Sequence, residues 1–235
     1  MAKIALVGSP GQGKTTSVIP FSSDKLGVHI KGLDPKTTVL IDVKNQGAFP
    51  GYDADKKLSE GGNYFATKDS PKVASAIKYI ADNRQDIKCI WIDDMGYLMS
   101  FEQTANAKNK GHNIWVDLAY NHMSIYDAVE YAMQKRKDLH FIACYHSEVG
   151  KDNKMKIKTC GQMIDNTVTL DGLYNIILYT EVNKTPDGKV IYQFRTHNDG
   201  VSSCRSPLGM FEEELIPNDM GVVMDAVNKY YNVQK

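Results

Sequence analysis

Nine residues near the start of the chain have the types and spacing needed to surround phosphate groups. Residues 8–15 read GSPGQGKT, and an apolar run that predicts a strand precedes them. The glycines let the backbone curl so that successive N–H groups face one centre. Lys14 can bring its charge to the β- and γ-phosphates of a nucleotide, and the Thr15 hydroxyl can bind Mg²⁺. The candidate phosphate-binding residues are Gly8, Ser9, Pro10, Gly11, Gln12, Gly13, Lys14, Thr15 and Thr16.

A pair of acids follows the third predicted strand. Residues 89–92 are apolar and lead directly into Asp93 and Asp94. An acid at the end of such a strand orients Mg²⁺ beside the loop threonine, so we expect Asp93 and Thr15 to be the metal-side residues. Asp94 can act as the base that polarises the attacking water, or it can cap the helix that begins near Tyr97.

Two polar residues follow the fourth predicted strand. If this strand lies between the first and the third, His146 faces the γ-phosphate and can sense its presence; a capping or solvated histidine is the alternative. Glu148 is a second candidate for water activation. The other five histidines show no ligand spacing, and we therefore expect no zinc site.

A lysine-rich stretch at residues 147–160 is predicted as a polar loop. Residues 151–158 contain four lysines and a single acid, Asp152; the lysines can contact a nucleic-acid backbone, reach the nucleotide of a neighbouring subunit, or simply be solvated. Arg195 and Arg205 are further candidates for a basic residue donated to a neighbouring subunit. The lysines of this stretch are Lys151, Lys154, Lys156 and Lys158.

The composition fits one α/β domain over residues 1–235, with 42% hydrophobic residues for its core. The formal net charge is zero, so binding to nucleic acid would have to come from a local patch. No apolar run approaches the ~20 residues of a membrane span, and we expect a cytoplasmic protein without membrane contact. The four cysteines are widely separated and are expected to be reduced thiols: Cys89, Cys144, Cys160 and Cys204.

Strand and helix signals alternate along the chain, which predicts a mostly parallel sheet with helices on both faces. Strands are predicted at 3–7, 37–43, 63–66, 88–93 and 139–145, with an antiparallel hairpin at 173–181 and 190–196. Helices are predicted from residue 13 to before Pro20, and at 71–84, 97–136 with a break near 110–111, and 219–231. The first of these helices would point its positive end at the phosphates, and Ser70 would cap the second.

Segments spread over nearly the whole chain carry a resemblance to a known family. They are GLDPKTT at 32–38, IWIDD at 90–94, YLM at 97–99, YHSE at 145–148, IKT at 157–159, GQMID at 161–165, NDG at 198–200, SPLGMF at 206–211 and IPND at 216–219. With the loop, they resemble the phage-encoded AAA/RecA-type P-loop ATPases. They are similar, more distantly, to the phage ATPases that assist single-strand annealing.

The resemblance implies a RecA-like core that binds ATP and Mg²⁺ at the ends of its parallel strands. It also implies a ring or filament of identical subunits, work in phage DNA metabolism in the host cytoplasm, and single-stranded DNA and phage recombination or replication proteins as partners. One residue departs from the recombinase pattern, which has a catalytic glutamate just after the second strand where this chain has Lys44. Water activation then depends on Asp94 or Glu148.

Two functions remain open at this point. The first is a Mg²⁺-dependent ATPase that acts in phage DNA recombination or replication and binds DNA. The second is a nucleotide-switched module that recruits a protein partner with little or no turnover. A small-molecule kinase is disfavoured because its lid needs several arginines, and residues 97–160 contain only Arg136.

Overall fold

Apolar and β-branched runs form the strands of this chain, and longer amphipathic runs form its helices. The computed structural model describes residues 1–47, 49–107, 113–159 and 168–231. The strands are β1 (Lys3–Val7), β2 (Phe21–Ser23), β3 (Val28–Ile30), β4 (Thr38–Asp42), β5 (Tyr64–Ala66), β6 (Cys89–Asp93), β7 (His140–Tyr145), β8 (Ser147–Val149), β9 (Met155–Ile157), β10 (Ile176–Lys184), β11 (Val190–Arg195) and β12 (Leu215–Pro217). The α-helices are α1 (Ser70–Asn83), α2 (Gly96–Ala105), α3 (Asn113–Lys135) and α4 (Met220–Tyr230).

The main sheet contains eight of these strands in the order β12-β11-β10-β1-β7-β6-β4-β5. The strands from β10 to β5 run parallel, and β11 and β12 continue the sheet in the antiparallel sense. This confirms the expected mixed α/β fold with a mostly parallel sheet and a late antiparallel hairpin. Because β7 lies between β1 and β6, the residues that follow these three strands meet at one edge of the sheet.

Helices cover both faces of the sheet. Ala5 and Val7 of β1 belong to the apolar cluster under α1 and α3, whereas Ile4 and Leu6 belong to the cluster under α4. This alternation follows from the two-residue repeat of a strand. The predicted apolar face of α1 is confirmed, since its four members are buried: Val73, Ala76, Ile77 and Ile80.

The helix predicted after residue 13 is wrong. Residues 14–18 instead form hydrogen-bonded turns, of which the bond from the Ser17 N–H to the Gly13 carbonyl is 2.9 Å long. Residues 15–19 read TTSVI, a run of β-branched and hydroxyl residues that favours a helix weakly. Pro20 then disfavours helical geometry in the residue before it, so the helix has no room to extend.

Two local details also differ from the sequence prediction. The N-cap of α1 is Asp69, whose carboxylate accepts a 3.0 Å bond from the Lys72 N–H, and Ser70 is already helical. The first turn of a helix tolerates a proline whether the N-cap is Asp69 or Ser70, so Pro71 does not show which of the two residues is the cap. The predicted loop at 147–160 contains the β8–β9 hairpin, because Met155 and Ile157 alternate with lysines and turn inward.

One element of the structure was not predicted, and some predictions fall on residues outside the described ranges. The small β2–β3 hairpin was not predicted. The break near residues 110–111, Cys160 and the segment 161–165 lie outside the described residues. No helix in the described ranges is both long and apolar enough to cross a membrane.

Candidate functional site

The carboxyl ends of four parallel strands meet at a cleft of about 770 Å³. β1 leads into the glycine-rich loop, β6 into Asp94, β7 into His146, and β4 is followed by Lys44. Side chains that are far apart in sequence are thereby placed around one space, as in other open parallel sheets. The loop residues that line the cleft are Pro10, Gly11, Gly13, Lys14, Thr15 and Thr16.

The glycine-rich loop presents a row of unpaired backbone donors. Gly11 and Gly13 have φ angles of 78° and 85°, a left-handed geometry that favours glycine. Among the described residues, the N–H groups of residues 11–16 make no hydrogen bond to protein. Successive free N–H groups in a curled backbone form a concave anion site. The loop therefore has the geometry to hold a multiply charged phosphate.

A side-chain clasp holds the loop against β10. The Gln12 Oε1 accepts a 2.8 Å bond from the Ser9 N–H and a 3.0 Å bond from the Thr180 hydroxyl. A Cβ atom on Gly8 would lie 1.7 Å from the Thr180 Oγ1. Residue 8 therefore has to be glycine for the loop to lie this close to the sheet.

Lys14 lies buried at the mouth of the loop. Its Nζ donates to the carbonyls of Gly8 and Ser9 at 2.7 and 2.9 Å. Burial lowers the pKa of Lys14, while the charges of Asp93 and Asp94 act in the opposite direction. The ammonium group is therefore fixed next to the unpaired N–H groups rather than free in solvent.

Thr15 and Asp93 are in contact across the edge of the sheet. The Thr15 hydroxyl lies 3.1 and 3.2 Å from the two carboxylate oxygens of Asp93, which is only 1% exposed. Burial, and next the charge of Asp94, raise the pKa of Asp93 to about 7. One hydroxyl and one carboxylate fit Mg²⁺, which takes few protein oxygens and completes its shell with water and phosphate.

The carboxylate of Asp94 contacts two side chains, those of Lys44 and His146. One carboxylate oxygen lies 2.5 Å from the Lys44 Nζ, and the other lies 3.4 Å from the His146 Nε2. Its backbone has a φ of 55°, unusual for a residue other than glycine. Its carboxylate makes no capping bond to α2, whose N-cap is Met95. Asp94 is therefore not the cap of α2, and it lines the cleft.

Lys44 is brought to this acid by a carboxylate two residues earlier. The buried Asp42, at the end of β4, accepts from the N–H groups of Lys44 and Gln46 at 3.1 and 2.6 Å and from the Tyr64 hydroxyl at 2.8 Å. Burial works against the charge of Lys44, but its bond to Asp94 outweighs this and raises the pKa of Lys44. The sequence did not predict the Lys44–Asp94 pair. The turn at Asp42 does have a sequence signal, because an Asp side chain often accepts a hydrogen bond from the N–H two residues later.

The sensor candidate His146 and the base candidate Glu148, which both follow β7, are placed differently. His146 lines the cleft and meets the ring of Tyr97 edge-on at 5.5 Å. Burial and the charge of Lys14 lower the pKa of His146, which keeps its ring neutral near pH 7. Glu148 does not line the cleft, and its carboxylate lies 3.2 Å from the Lys156 Nζ. Of the two, His146 is the one positioned to contact a ligand in the cleft.

Three of the basic candidates are exposed lysines, whereas the two arginine candidates make contacts within the chain. Lys151, Lys154 and Lys158 are exposed on or beside the β8–β9 hairpin. Arg195 lies 3.4 Å from Asp199 and 3.7 Å from Glu214, and it also pairs with Glu181. Arg205 donates to the carbonyl of Tyr174 at 2.5 Å and to that of Asp171. The guanidinium groups are therefore occupied within their own chain, whereas the lysines face solvent.

Part of the cleft wall was not predicted from the sequence. It comes from the β2–β3 and β10–β11 hairpins and from the residues before α4, and includes Tyr192 and Asn218. The Asp219 carboxylate accepts bonds of 2.9 Å from the Gly32 N–H and 2.8 Å from the Gly221 N–H, which ties this wall to the loop after β3. An Asn-Asp pair just before an apolar helix is a capping signal, but it does not indicate a ligand wall.

Comparison with protein-family models gives no match for this chain, and comparison with the curated proteins gives none. The functional assignment therefore depends on the geometry of the loop, the acid pair and the cleft.

Replacing Gly8 with alanine should destabilise the loop. The added methyl would overlap the Thr180 hydroxyl, and the resulting strain should lower the free energy of unfolding by about 1–3 kcal/mol. Thermal or urea denaturation measures this loss. Adding Thr180→Ala should restore part of it, and Gly172→Ala, where a Cβ meets nothing within 4 Å, is the matched control. Equal stability of Gly8→Ala and Gly172→Ala would contradict the clasp.

The stability of the protein should depend on pH through Asp93. Native Asp93 keeps its proton to about pH 7, whereas an unfolded aspartate loses it near about pH 3.9. The folded state therefore binds more protons between these values, and this contribution to stability falls as the pH rises through them. Urea denaturation of wild type and Asp93→Asn, without nucleotide or metal, measures this effect. The free energy of unfolding of the variant should increase relative to that of wild type as the pH rises. A difference in the free energy of unfolding between Asp93→Asn and wild type that stays constant over this pH range would contradict the prediction.

Proposed function

We propose that this chain is a RecA-like P-loop protein that binds and hydrolyses Mg²⁺–ATP. The observation that carries the proposal is the row of unpaired N–H groups at residues 11–16 beside Lys14. Such a concave array stabilises a multiply charged phosphate and has little use without one. The order β1-β7-β6, which sets Asp93 against Thr15, supports a RecA-like arrangement.

Lys14, Thr15 and Asp93 would hold the phosphates and their metal ion. Lys14 would contact the β- and γ-phosphates, and the Thr15 hydroxyl and the Asp93 carboxylate, which lie side by side, would hold the Mg²⁺. When bound, Mg²⁺ neutralises charge on the phosphate oxygens. Binding of the cation requires Asp93 to be ionised, so ligand binding must displace the proton that burial favours.

We assign water activation to Asp94. Its carboxylate lies in the cleft and takes the proton of the water whose oxygen attacks the γ-phosphorus, while the bond from that phosphorus to the β-phosphate oxygen breaks and ADP leaves. Lys44 pairs with this carboxylate at 2.5 Å, and it can turn from Asp94 to a γ-phosphate oxygen as the phosphate enters. His146, neutral and 3.4 Å from the same carboxylate, is the residue placed to sense the change.

We also propose that this protein acts in DNA metabolism. The proposal depends on the resemblance to phage ATPases and on the exposed lysines of the β8–β9 hairpin. Clustered ammonium groups bind a nucleic-acid backbone by displacing its counterions. Assembly into a ring or filament, and recombination or replication proteins as partners, follow from the same resemblance.

A nucleotide-switched module with little turnover is the second candidate. The Lys44–Asp94 pair favours it, because an ion pair 2.5 Å long occupies the carboxylate that hydrolysis needs. If Lys44 stays on Asp94 when the nucleotide is bound, ATP orders the surrounding loops without being cleaved.

Turnover measurements on variants separate these functions. Phosphate release from Mg²⁺–ATP should fall by at least about 100-fold in Asp94→Asn, with ATP binding retained, because the base is lost but the phosphate loop is intact. Lys14→Ala should lose binding and turnover together. The exposed Asp117→Asn is the matched control for Asp94. Wild type that binds ATP but releases no phosphate, with or without single-stranded DNA, would support the switch instead.

Charge reversal on the β8–β9 hairpin should weaken DNA binding. The variant Lys151→Glu/Lys154→Glu removes two exposed cations and should reduce the affinity for single-stranded DNA and the steepness of its salt dependence. Fluorescence anisotropy at several salt concentrations measures both. The exposed lysines of α1 provide the control Lys72→Glu/Lys78→Glu. DNA affinity that is equal in the two double variants would exclude the hairpin as the DNA contact.

A further inference from the structure

The half of the cleft beyond the phosphate loop has apolar walls. Val28 and Ile30 line it from the β2–β3 hairpin, and Val190, Ile191 and Tyr192 line it from β11. Most of these side chains are unusually exposed for their type: Tyr192 is 44% exposed, Val190 41% and Val28 39%. Exposed apolar side chains gathered around one cleft indicate a ligand site, because ligand sites are lined mostly by apolar side chains with a few polar groups.

Two of the wall residues lie directly beside the phosphate loop. A Cβ atom on Gly13 would lie 2.7 Å from the Asn218 Oδ1 and 3.3 Å from the Tyr192 Cδ1. The Asn218 N–H donates to the Tyr192 carbonyl at 3.2 Å, which fixes the two residues side by side. The apolar half of the cleft is therefore continuous with the half that holds phosphates.

Asn218 has hydrogen-bonding capacity that the described residues do not use. Its side chain is 8% exposed, and its amide nitrogen has no hydrogen-bond partner in the described part of the chain. A buried unpaired amide is costly and is seldom retained without a reason. A carboxamide both donates and accepts, so it suits a ligand edge that offers an acceptor next to a donor.

We infer that this half of the cleft binds the adenine base of the nucleotide. Tyr192 packs against the face of the ring, and the Asn218 amide hydrogen-bonds with the amino group and the adjacent ring nitrogen of adenine, a pairing that Asn makes well. The inference rests on the proposed function, since it needs a nucleotide whose phosphates lie on residues 8–16. The cleft, at about 770 Å³, lies within the size range of small-molecule and cofactor sites.

Calorimetry with two ligands tests the base site apart from the phosphate site. Mg²⁺–ATP and Mg²⁺–tripolyphosphate share the phosphate chain, but only ATP carries a base. Wild type should bind ATP at least about tenfold more tightly. Asn218→Ala and Tyr192→Ala should each weaken ATP by about tenfold and leave tripolyphosphate unchanged, whereas Lys14→Ala should weaken both. Tyr120→Ala, an exposed tyrosine on α3, is the matched control.

The variant Asn218→Asp tests the hydrogen-bond pattern itself. A carboxylate only accepts, so it cannot satisfy the ring nitrogen of adenine, but it matches the two neighbouring N–H donors of guanine. The ratio of ATP to GTP affinity should therefore shift toward GTP by about tenfold. Thermal unfolding of each variant confirms that its fold is retained.

The outcomes distinguish the base site from the proposed function. Equal affinity of wild type for ATP and tripolyphosphate, or equal losses for both ligands in Tyr192→Ala and Asn218→Ala, overturns the base site and leaves the phosphate site standing. If wild type binds neither ligand, the proposed function fails and the base site fails with it.

Discussion

Two carboxylates and two ammonium groups, buried or half-buried together, hold the functional edge of this protein in place. Lys14, Lys44, Asp93 and Asp94 meet where β1, β4 and β6 end, and the cost of burying the Asp94 carboxylate is offset by its ion pair with Lys44. The parallel register of the strands brings them together. The surrounding loops then serve to keep the charges in contact, as the carboxylate of Asp42 does when it folds the backbone around Lys44.

The glycine-rich loop of this chain leads into turns rather than into a helix. The predicted helix after residue 13 is replaced by turns, and the β2–β3 hairpin that follows supplies a wall of the cleft. Stabilisation of an anion would then come from individual N–H groups and two lysines, without the summed dipole of a long helix. The same change leaves apolar residues of the hairpin facing the space in which the rest of a nucleotide would lie.

The sequence predicted what depends on local pattern. The buried strands, the apolar face of α1 and the pairing of β10 with β11 are confirmed, since each follows from periodicity within a few residues. The helix after residue 13 is wrong because weak helix formers and a proline outweighed the motif. Contacts such as Lys44–Asp94 and Tyr192–Asn218 could not be predicted, because they join distant segments through the register of the sheet. The contact of Thr15 with Asp93 was predictable because both residues belong to motifs with fixed places on strands.

The capping carboxylate of Asp219 also links parts of the chain that are synthesised at very different times. It binds the N–H of Gly32, 187 positions earlier, and the neighbouring Met220 N–H donates to the Ser17 carbonyl at 2.9 Å. A ribosome therefore exposes the glycine-rich loop long before the segment that braces it. Until α4 emerges, the growing chain carries this loop without the part of the cleft wall that precedes α4, so the complete cleft forms only late in synthesis.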